Sequence, residues 1–580
     1  MPRPDDGEQR GRGRALAVLG VLLVAYAALG ARIVYLQVVQ GPALAQRAER
    51  QHEQSIAVEA ERGTMYDRRG HVLATDLTVP SLYAVPPMID NPQSVARELA
   101  AVLGIDSAPL AKRLTEPRAF VWLSRRIDPA VAKAVEDLGA DGVRLLPERR
   151  RVYPKKALLG QVLGFAGADH VGLEGIERAY DRVLRGEKGW LIYERDGMGR
   201  RLFPKDLRYV APSRGRDLVL TIDEVVQYIS ERELDAALAE SGADGGTILV
   251  MNPADGGLLA MAVRPAFNPN DVDPRHPGLW RNRAVTDLFE PGSTFKVVAA
   301  AAALEAGVVR PGDLIDCERG RWAIAGGALH DHEPLGRISF SEVIAKSSNI
   351  GIAKVAERLG PERLARAIAA FGFGRKTGID LGGEVSGRLK PAARWSGRSL
   401  VTMAIGQEVA VTSIQLVTAY AAIANGGRLV KPHVVAEVRD GQGTPLPIRL
   451  DDGAETRVMS ERTAEVLTGL LEGVVSPGGT GAFAALDGVS VAGKTGTAQQ
   501  IDPATGRYAA DRVVSSFVGF APSRRPAVVI LVVIDNPDGR GWGSAVAAPV
   551  FRRVAEATLR HLEAPDEVPP GAAPTLLARR

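Results

Sequence analysis

One uncharged apolar stretch near the N-terminus most constrains how this chain can fold. Residues 15–31 read ALAVLGVLLVAYAALGA, and beyond Arg32 the apolar pattern continues as IVYLQVV. This length reaches the lower limit for a membrane-spanning helix, and the Arg32 side chain can extend its charge toward the membrane surface. The sequence has no second apolar stretch of this length, because AVVILVVI at 527–534 is only strand-length. The sequence therefore predicts one membrane helix and a large part that folds in water.

The charges before this stretch predict its orientation. Arginines outnumber acidic residues there, with Arg3, Arg10, Arg12 and Arg14 against Asp5, Asp6 and Glu8. Such an excess favours a cytoplasmic tail (1–14) and an anchor (15–39) in the cytoplasmic (inner) membrane, with the bulk of the chain extracytoplasmic. The alternative is a signal peptide cleaved near Ala28-Leu29-Gly30. The unbroken helical pattern favours an uncleaved anchor.

The overall composition is that of a globular chain and excludes several classes of function. With 580 residues, 46% hydrophobic and 24% charged, two or three domains are expected. The 72 basic and 68 acidic residues nearly balance, at a net charge of +4, and no basic run carries interleaved aromatics. No nucleic-acid partner is therefore predicted. The single cysteine, Cys317, excludes an intramolecular disulfide and a cysteine-based metal site, and we expect it to be a small buried residue.

The order of predicted elements indicates an α+β fold. Residues 40–212 have the pattern of a mixed α+β module without a nucleophile, a metal cluster or a phosphate loop. A turn-rich linker at 211–215 precedes a second domain, at 213–564. That domain has predicted strands at both ends and helices between them, so sequence-distant strands must share one sheet. Its predicted elements are strands at 246–251, 257–262, 488–500, 513–521 and 527–535, helices over 293–430, and a last helix at about 549–562. Residues 565–580 are predicted to be a disordered tail.

Three separated motifs in the second domain indicate acyl transfer through a serine nucleophile with a lysine base. They are Ser293-Thr294-Phe295-Lys296, then Ser347-Ser348-Asn349, then Lys494-Thr495-Gly496-Thr497. At three positions' spacing, Ser293 and Lys296 lie on the same face of a helix. The lysine can accept the serine proton only when neutral, so burial or a nearby cation must lower its pKa. Each motif alone is weak, since helix capping and solvated lysines explain isolated copies, but the combination is specific.

A second K-T-G, at Lys376-Thr377-Gly378, follows a glycine-rich helix end and is predicted to lie in a loop. Lys494 instead follows an apolar strand, where an extended peptide can pair with the backbone and Gly496 leaves room for it. An ideal pleat would place Lys494 and the threonines on opposite faces, so twist or an edge position must reconcile them.

Two other polar segments have ordinary explanations. His330 and His332 lie in a turn-like loop and are predicted to be surface residues, since no zinc-type H-E-x-x-H pattern is present. No metal and no cofactor are predicted. Trp542, between two glycines, is a candidate for the edge of a binding site.

On these motifs the chain resembles the monofunctional class B penicillin-binding proteins, most closely the cell-division transpeptidases. The resemblance includes Arg62-Gly63, Asp67-Arg68-Arg69-Gly70 and the run from Gly172 to Glu177 in the first module, and Glu290-Pro291-Gly292 before Ser293. It extends from the anchor to about residue 555. It implies an elongated non-catalytic (pedestal or dimerisation-type) module followed by a penicillin-binding domain, whose antiparallel sheet has inserted and flanking helices.

The resemblance also implies an activity and partners. Ser293 would attack the D-Ala-D-Ala carbonyl of a peptidoglycan stem peptide, Lys296 and Lys494 would assist, and an acceptor amine would resolve the acyl-enzyme into a crosslink. Ser347 would relay a proton, Asn349 would bind a substrate amide, and the N–H groups of Ser293 and Thr497 would bind the oxyanion. Thr495, Gly496 and Thr497 would contact the substrate. β-Lactams would acylate Ser293, and a membrane glycan polymerase and other divisome proteins would be partners.

Septal cell-wall synthesis is the predicted role. Three alternatives stay open at this point: an elongation-type transpeptidase, a D,D-carboxypeptidase that uses water as acceptor, and a catalytically idle penicillin-binding scaffold or sensor.

Overall fold

A computed structural model describes most of the chain. The described residues are 6–41, 53–118, 120–195, 201–202, 208–325, 327–447, 456–501, 507–539 and 541–563. The tail predicted at 565–580 lies outside them. The chain divides into two compact units, one of residues 1–60 and 187–213, the other of residues 61–186 and 214–580.

The helices of the described part are numbered α1 to α17 in chain order. Those before residue 220 are α1 Asp6–Val34, α2 Pro92–Leu103, α3 Ser107–Leu114, α4 Pro129–Asp137, α5 Gly160–Leu163, α6 Gly175–Ala179 and α7 Asp181–Leu184. Those after it are α8 Glu224–Ser241, α9 Arg283–Thr286, α10 Lys296–Glu305, α11 Phe340–Ala345, α12 Asn349–Leu359, α13 Pro361–Ala370, α14 Ser399–Ala404, α15 Ser413–Ala424, α16 Glu461–Val475 and α17 Gly543–His561.

The strands of the described part are numbered β1 to β24. The first nine are β1 Glu53–Val58, β2 Met65–Tyr66, β3 Val72–Ala84, β4 Val121–Ser124, β5 Val143–Val152, β6 Gly189–Arg195, β7 Arg201–Leu202, β8 Arg208–Val210 and β9 Asp217–Leu220. The next eight are β10 Gly245–Met251, β11 Leu258–Arg264, β12 Leu314–Asp316, β13 Arg321–Ile324, β14 Gly327–His330, β15 Arg337–Ser339, β16 Arg388–Leu389 and β17 Val409–Ala410. The last seven are β18 Arg428–Leu429, β19 Val435–Arg439, β20 Pro445–Leu446, β21 Thr456–Arg457, β22 Ala492–Ile501, β23 Tyr508–Ala521 and β24 Val528–Asp535.

The smaller unit contains the apolar helix and a small sheet. Helix α1 continues into a π-helical turn at Tyr35–Val39. Within them, the 27-residue stretch Gly13–Val39 contains an 18-residue window with a mean hydropathy of 2.2, so it is long and apolar enough to cross a membrane by length and composition. In the sheet, β1 pairs antiparallel with β6, and β6 also pairs with β7 and β8. The predicted N-terminal apolar helix is therefore present.

In the larger unit, one sheet joins the N-terminal module to the second half of the chain. Its strand order is β20-β19-β9-β2-β3-β4, with β5 also paired to β3. Strand β2 runs parallel to β9 and antiparallel to β3, so residues near 65 and near 218 are direct neighbours. Apolar side chains of α2, α3 and α4 pack on the β3–β4–β5 end of this sheet in a core of their own.

A largely buried ionic network stabilises the N-terminal module. Arg62 and Glu177 have no exposed side-chain surface, and Arg151 is 4% exposed. The Arg151 Nε donates to Glu177 at 2.6 Å, and Arg62 donates to Glu177 and, at 2.8 Å, to Asp181. Arg151 also pairs with Asp76 at 3.4 Å. Buried charges require such partners. The arginine of the Arg62-Gly63 motif and the last glutamate of the run from Gly172 to Glu177 therefore depend on each other.

The other large sheet of this unit is antiparallel, as the family resemblance implies for the second domain. Its order is β11-β10-β24-β23-β22, all neighbours being antiparallel, so strands from both ends of the domain meet. Helices α8 and α17 pack on one face. The helices inserted between β11 and β22 form the main core on the other face. The predicted α+β class, with inserted and flanking helices, is confirmed.

The last helix begins earlier than predicted. The sequence predicts this helix at about 549–562. In the structure α17 begins at Gly543, and Pro549 lies inside it. The helix tolerates the lost backbone hydrogen bond because its apolar face, including Val550 and Phe551, is buried against the sheet. Trp542 is the N-cap residue of α17, at the end of the loop that leads into the helix.

Candidate active site

Ser293 lies in a 3-10 turn that leads directly into α10. The turn spans Gly292–Phe295, and α10 begins at Lys296. The Thr294 hydroxyl donates to the Pro291 carbonyl at 2.7 Å, and the buried Tyr420 hydroxyl donates to the Thr294 carbonyl at 2.8 Å. The sequence predicts an α-helix from Ser293 onward, and the tighter first turn is the difference. The turn therefore holds Ser293 on a rigid, buried support.

Lys296 is buried, and its amine is hydrogen-bonded to residues of the second motif. Its side chain is 1% exposed. The Nζ atom donates to the Ser347 carbonyl at 2.6 Å, to the Ser347 hydroxyl at 3.1 Å and to Asn349 Oδ1 at 2.7 Å. Burial lowers the pKa of Lys296 to about 7, although the Asp331 carboxylate acts in the opposite direction. A substantial neutral fraction is therefore present at neutral pH, as a lysine base requires.

Lys494 also contacts the Ser347 hydroxyl, from the edge strand of the sheet. Its fully buried Nζ lies 2.9 Å from the Ser347 hydroxyl, although the two residues are 147 positions apart. Burial, with the charge of Lys296 as a second cause, lowers the pKa of Lys494 well below its ordinary value. We name Lys296, Ser347 and Lys494 the lysine–serine cluster. Its central hydroxyl contacts two amines, so a proton can pass between them through one oxygen.

The backbone explains how Ser347 lies between two lysines. Ser347 has a positive φ of 58°, which turns the chain sharply before α12. Ser348 then caps α12 by accepting from the Gly351 N–H at 2.9 Å. A non-glycine residue with positive φ is uncommon and typically found where surrounding contacts enforce it. The helix-capping explanation of this motif therefore applies to Ser348, while Ser347 faces the lysines.

The threonines and glycine after Lys494 lie along β22, at the edge of the sheet, in agreement with the predicted strand. Thr495 Oγ1 contacts Lys494 Nζ at 3.4 Å and donates to Thr480 Oγ1 at 3.0 Å. A Cβ atom at Gly496 would lie 2.8 Å from the Thr294 side chain, so glycine lets β22 pack against the turn of Ser293. This packing is a reason for glycine that the sequence did not indicate. Its predicted contact with substrate stays a prediction.

The alternative K-T-G makes its hydrogen bonds to a different part of the chain. Thr377 donates from its N–H and its hydroxyl to Glu384, at 2.5 and 2.6 Å, in the loop that follows α13. Its hydrogen bonds therefore stabilise that loop. The structure brings together Lys296, Ser347, Asn349 and Lys494 and places the turn of Ser293 against β22, while Lys376 takes no part.

Asp331 is a polar residue of the site that sequence reasoning missed. Its carboxylate accepts from the Ser348 hydroxyl at 2.6 Å, from the Asn349 N–H at 2.5 Å and from the Ile350 N–H at 3.0 Å. The preceding carbonyl, of His330, accepts from Asn349 Nδ2 at 2.8 Å. These contacts orient the start of α12, where an anion is favoured. A pattern of neighbouring residues cannot reveal them, because they join segments 17 to 19 positions apart.

An aromatic pair joins two loops beside the lysine–serine cluster. The His332 and Trp542 rings pack edge to face, with centroids 4.6 Å apart and planes at 82°. The N–H of Gly543, which follows Trp542, donates to Thr497 Oγ1 at 3.0 Å. His332 is exposed, as predicted for a surface residue, yet it lies close enough to the cluster for the lysine charges to affect its pKa. Trp542, a candidate from the sequence, lies beside Thr497.

One group within the described residues has the ligand types of a cation site, but its contacts explain it otherwise. Asp67, His71 and Glu224 bring three potential ligand atoms within 4.8 Å of one another. The Asp67 carboxylate accepts from two backbone N–H groups at 2.8 Å, and the Lys155 ammonium lies 2.6 Å from Glu224. These ion pairs and hydrogen bonds already satisfy the carboxylates, so we assign no metal there.

Comparison with known families explains why these residues occur together. A profile of the penicillin binding protein transpeptidase domain matches residues 246–556, and a profile of the penicillin-binding protein dimerisation domain matches residues 57–220. The chain belongs to the class B penicillin-binding proteins. The family's two parts correspond to the half of the chain with the lysine–serine cluster and to the half with the buried ionic network.

Individual relatives match along nearly the whole chain. Stage V sporulation protein D of Bacillus subtilis is 37% identical, covering 95% of this chain and 86% of its own length. Peptidoglycan D,D-transpeptidase FtsI of Escherichia coli K12 is 32% identical, covering 94% and 91%. Among solved structures, penicillin binding protein 3 of Mycobacterium tuberculosis, complexed with aztreonam, is 28% identical with a TM-score of 0.69, covering 89% of this chain and 99% of that one.

Proposed function

We propose that this chain is a peptidoglycan D,D-transpeptidase that forms stem-peptide crosslinks through an acyl-enzyme on Ser293. The observation that carries the proposal is the convergence of two buried lysine amines on the Ser347 hydroxyl, beside the turn of Ser293. The family and the name of the relative FtsI support the same activity. β-Lactams, one of which occupies a solved relative, are the expected inhibitors.

In the proposed acylation, Ser293 Oγ attacks the carbonyl between the two terminal D-alanines while neutral Lys296 takes the serine proton. The oxyanion is bound by the N–H groups of Ser293 and Thr497. The C–N bond then breaks, and the departing D-Ala amine receives a proton through the Ser347 hydroxyl. Lys494, Thr495 and Thr497 are assigned to the D-Ala carboxylate, and Gly496 to the approach of the substrate backbone.

Asn349 has two proposed tasks. Its Oδ1 already accepts from Lys296 Nζ at 2.7 Å, so the side chain orients the base. One N–H of its amide donates to the His330 carbonyl, which leaves the second N–H for a substrate carbonyl. The predicted substrate contact therefore stays a proposal, with the orientation of Lys296 added to it.

The domain assignment and the cellular location are parts of the same proposal. We assign residues 40–212 to a non-catalytic module and 213–564 to the transpeptidase domain, with residues 15–39 as a single-pass anchor in the cytoplasmic membrane. The length and apolarity of Gly13–Val39 support an anchor. The catalytic part is then extracytoplasmic, where peptidoglycan stem peptides lie. A membrane glycan polymerase and other divisome proteins are the proposed partners, through the anchor and the non-catalytic module.

A division role is proposed over an elongation role because the relatives FtsI and stage V sporulation protein D match along the chain. Depletion of the protein in its own cells is expected to give filaments without septa, because growth continues while septal crosslinking stops. Microscopy of depleted cells is the measurement. Rounded cells would instead assign the protein to the elongation machinery.

The acylation rate is expected to rise with pH through the neutral range. The base acts in its neutral form, and burial lowers the pKa of Lys296 to about 7. The second-order rate constant for fluorescent penicillin should fall roughly tenfold per pH unit well below pH 7 and level off above about pH 8. Stopped-flow or gel labelling of the detergent-solubilised chain measures it. A rate independent of pH between 5.5 and 8.5 would contradict a lysine base, and a wild-type chain that never labels would indicate an idle scaffold.

A further inference from the structure

The edge-to-face pair of His332 and Trp542 spans the two sides of the site. On one side, Asp331 precedes His332 and accepts hydrogen bonds from Ser348 and from the Asn349 N–H. On the other side, Gly543 follows Trp542 and donates to Thr497. The ring contact at 4.6 Å therefore connects the second motif to the third. Both rings are exposed, so a substrate that approaches the lysine–serine cluster can meet them.

The imidazole of His332 is available in its neutral form at neutral pH, the form that can act as a base. Four charged groups face it: the ammonium groups of Lys296 and Lys494 and the carboxylates of Asp331 and Glu333. Partial burial and the two lysines lower the pKa of His332, and the carboxylates offset this only in part. The ring is therefore neutral above its lowered pKa, while its exposure lets it exchange protons with water.

The proposed reaction leaves one proton without an acceptor among the residues assigned so far. During acylation the Ser293 proton ends on the departing amine, and reversal of that path returns one proton from an attacking amine to Ser293. This cycle requires a neutral acceptor amine. A primary alkylamine has a pKa of about 10.4 and arrives as an ammonium ion at neutral pH. An ammonium ion has no lone pair for attack, so its additional proton must first be removed.

We propose that His332 is the base that removes this proton from the acceptor ammonium ion. The imidazole takes one proton and later releases it to water. The neutral amine then attacks the acyl carbonyl: the new C–N bond forms, the C–Oγ bond to Ser293 breaks, and a second amine proton passes through the lysine–serine cluster to Ser293 Oγ. Trp542 holds the imidazole in place through the ring contact. The inference rests on the proposed transpeptidase function.

The test separates this proton transfer from every other step by the choice of acceptor. The detergent-solubilised full chain is acylated by a thioester analogue of the acyl-D-alanine donor and resolved by one of two amines. Nα-acetyl-lysine presents an ammonium group at pH 7, whereas hydroxylamine is largely neutral there and needs no such base. His332→Gln should lower the rate with Nα-acetyl-lysine roughly a hundredfold at pH 7 and leave hydroxylamine within about twofold. Near pH 10 the deficit should disappear.

Two further variants separate chemistry from support. His332→Phe keeps an aromatic contact with Trp542 and should show the same selective loss. His276→Gln, at an exposed histidine whose ring is hydrogen-bonded to Asp273, should leave both rates unchanged. Labelling of every variant by fluorescent penicillin at the wild-type rate verifies folding and acylation.

The outcomes distinguish the inference from the function on which it rests. Equal losses with both amines would overturn the inference, because they identify a positional role for His332. Unchanged rates with Nα-acetyl-lysine would overturn it as well. A wild-type chain that labels with penicillin but uses no amine acceptor would instead overturn the transpeptidase assignment.

Discussion

Replacing Ser293 with alanine is expected to abolish covalent labelling by fluorescent penicillin while the protein still folds. Ser293 supplies the only atom that bonds to the β-lactam carbonyl in the proposed mechanism, so no slower route to the same adduct exists. Removal of a serine nucleophile typically costs a factor of 10⁴ or more, roughly, which puts the adduct below detection. Gel fluorescence and intact-protein mass spectrometry of the detergent-solubilised chain measure the adduct.

Folding of this variant is verified by its unfolding midpoint, which should move by less than about 2 °C, because the substitution removes one hydroxyl from a turn held by other contacts. The turn is held by Thr294 and Tyr420, whose hydrogen bonds do not involve the Ser293 side chain. Ser476→Ala, at an exposed serine that bonds within its own helix end, is the matched control and should label normally. Persistent labelling of Ser293→Ala at another residue would reject the assignment of the nucleophile.

Glu177→Gln is expected to destabilise the larger unit by about 3–5 kcal/mol, because it leaves buried arginines without their shared carboxylate. Glu177 accepts from both Arg62 and Arg151 and is completely buried. Burial alone would raise the pKa of Glu177, but the two arginines outweigh it and hold that pKa below its ordinary value. The glutamine has nearly the same shape, so the loss reports on charge rather than on packing. Chemical denaturation followed by tryptophan fluorescence measures it.

Glu174→Gln is the control for this variant. Glu174 is three residues away, its side chain is 39% exposed, and its nearest cation, Arg178, lies at 3.8 Å. Exposed pairs contribute little, so the unfolding free energy should change by less than about 0.5 kcal/mol. A Glu177→Gln variant as stable as this control would show that the arginines find other partners, and the stabilising role of the network would be wrong.

Local patterns in the sequence predicted the elements that depend on neighbouring residues. The strands expected at 246–251, 257–262 and 527–535 agree with β10, β11 and β24 within two residues. Each is a short apolar run between turn residues, and such runs form strands wherever they are buried. The start of α17 was predicted wrongly because a proline is normally excluded from a helix interior. Burial of that helix against the sheet outweighs the cost at Pro549.

Contacts between residues that are distant in sequence could not be predicted from local patterns. Nothing near Asp331 indicates that its carboxylate binds the start of α12, and nothing near His332 indicates a ring contact with Trp542. From the sequence, only a metal site or a surface position could be considered for His330 and His332. Their actual neighbours come from loops that the two sheets and the inserted helices bring together. Such contacts depend on the packed fold, for which no short motif is a signature.

The sequence by itself determined the residue types of the reaction and the length of the apolar N-terminal helix. A serine three positions before a lysine, followed by the second and third motifs, indicates acyl transfer. The reaction needs a hydroxyl nucleophile and an amine base, and these motifs supply both. Only the tertiary structure decided the protonation of the lysines. Burial lowers the pKa of Lys296, and the approach of Lys494 to the same Ser347 hydroxyl completes the cluster. Desolvation and charge repulsion depend on what surrounds a group in space, which the order of residues along the chain does not state.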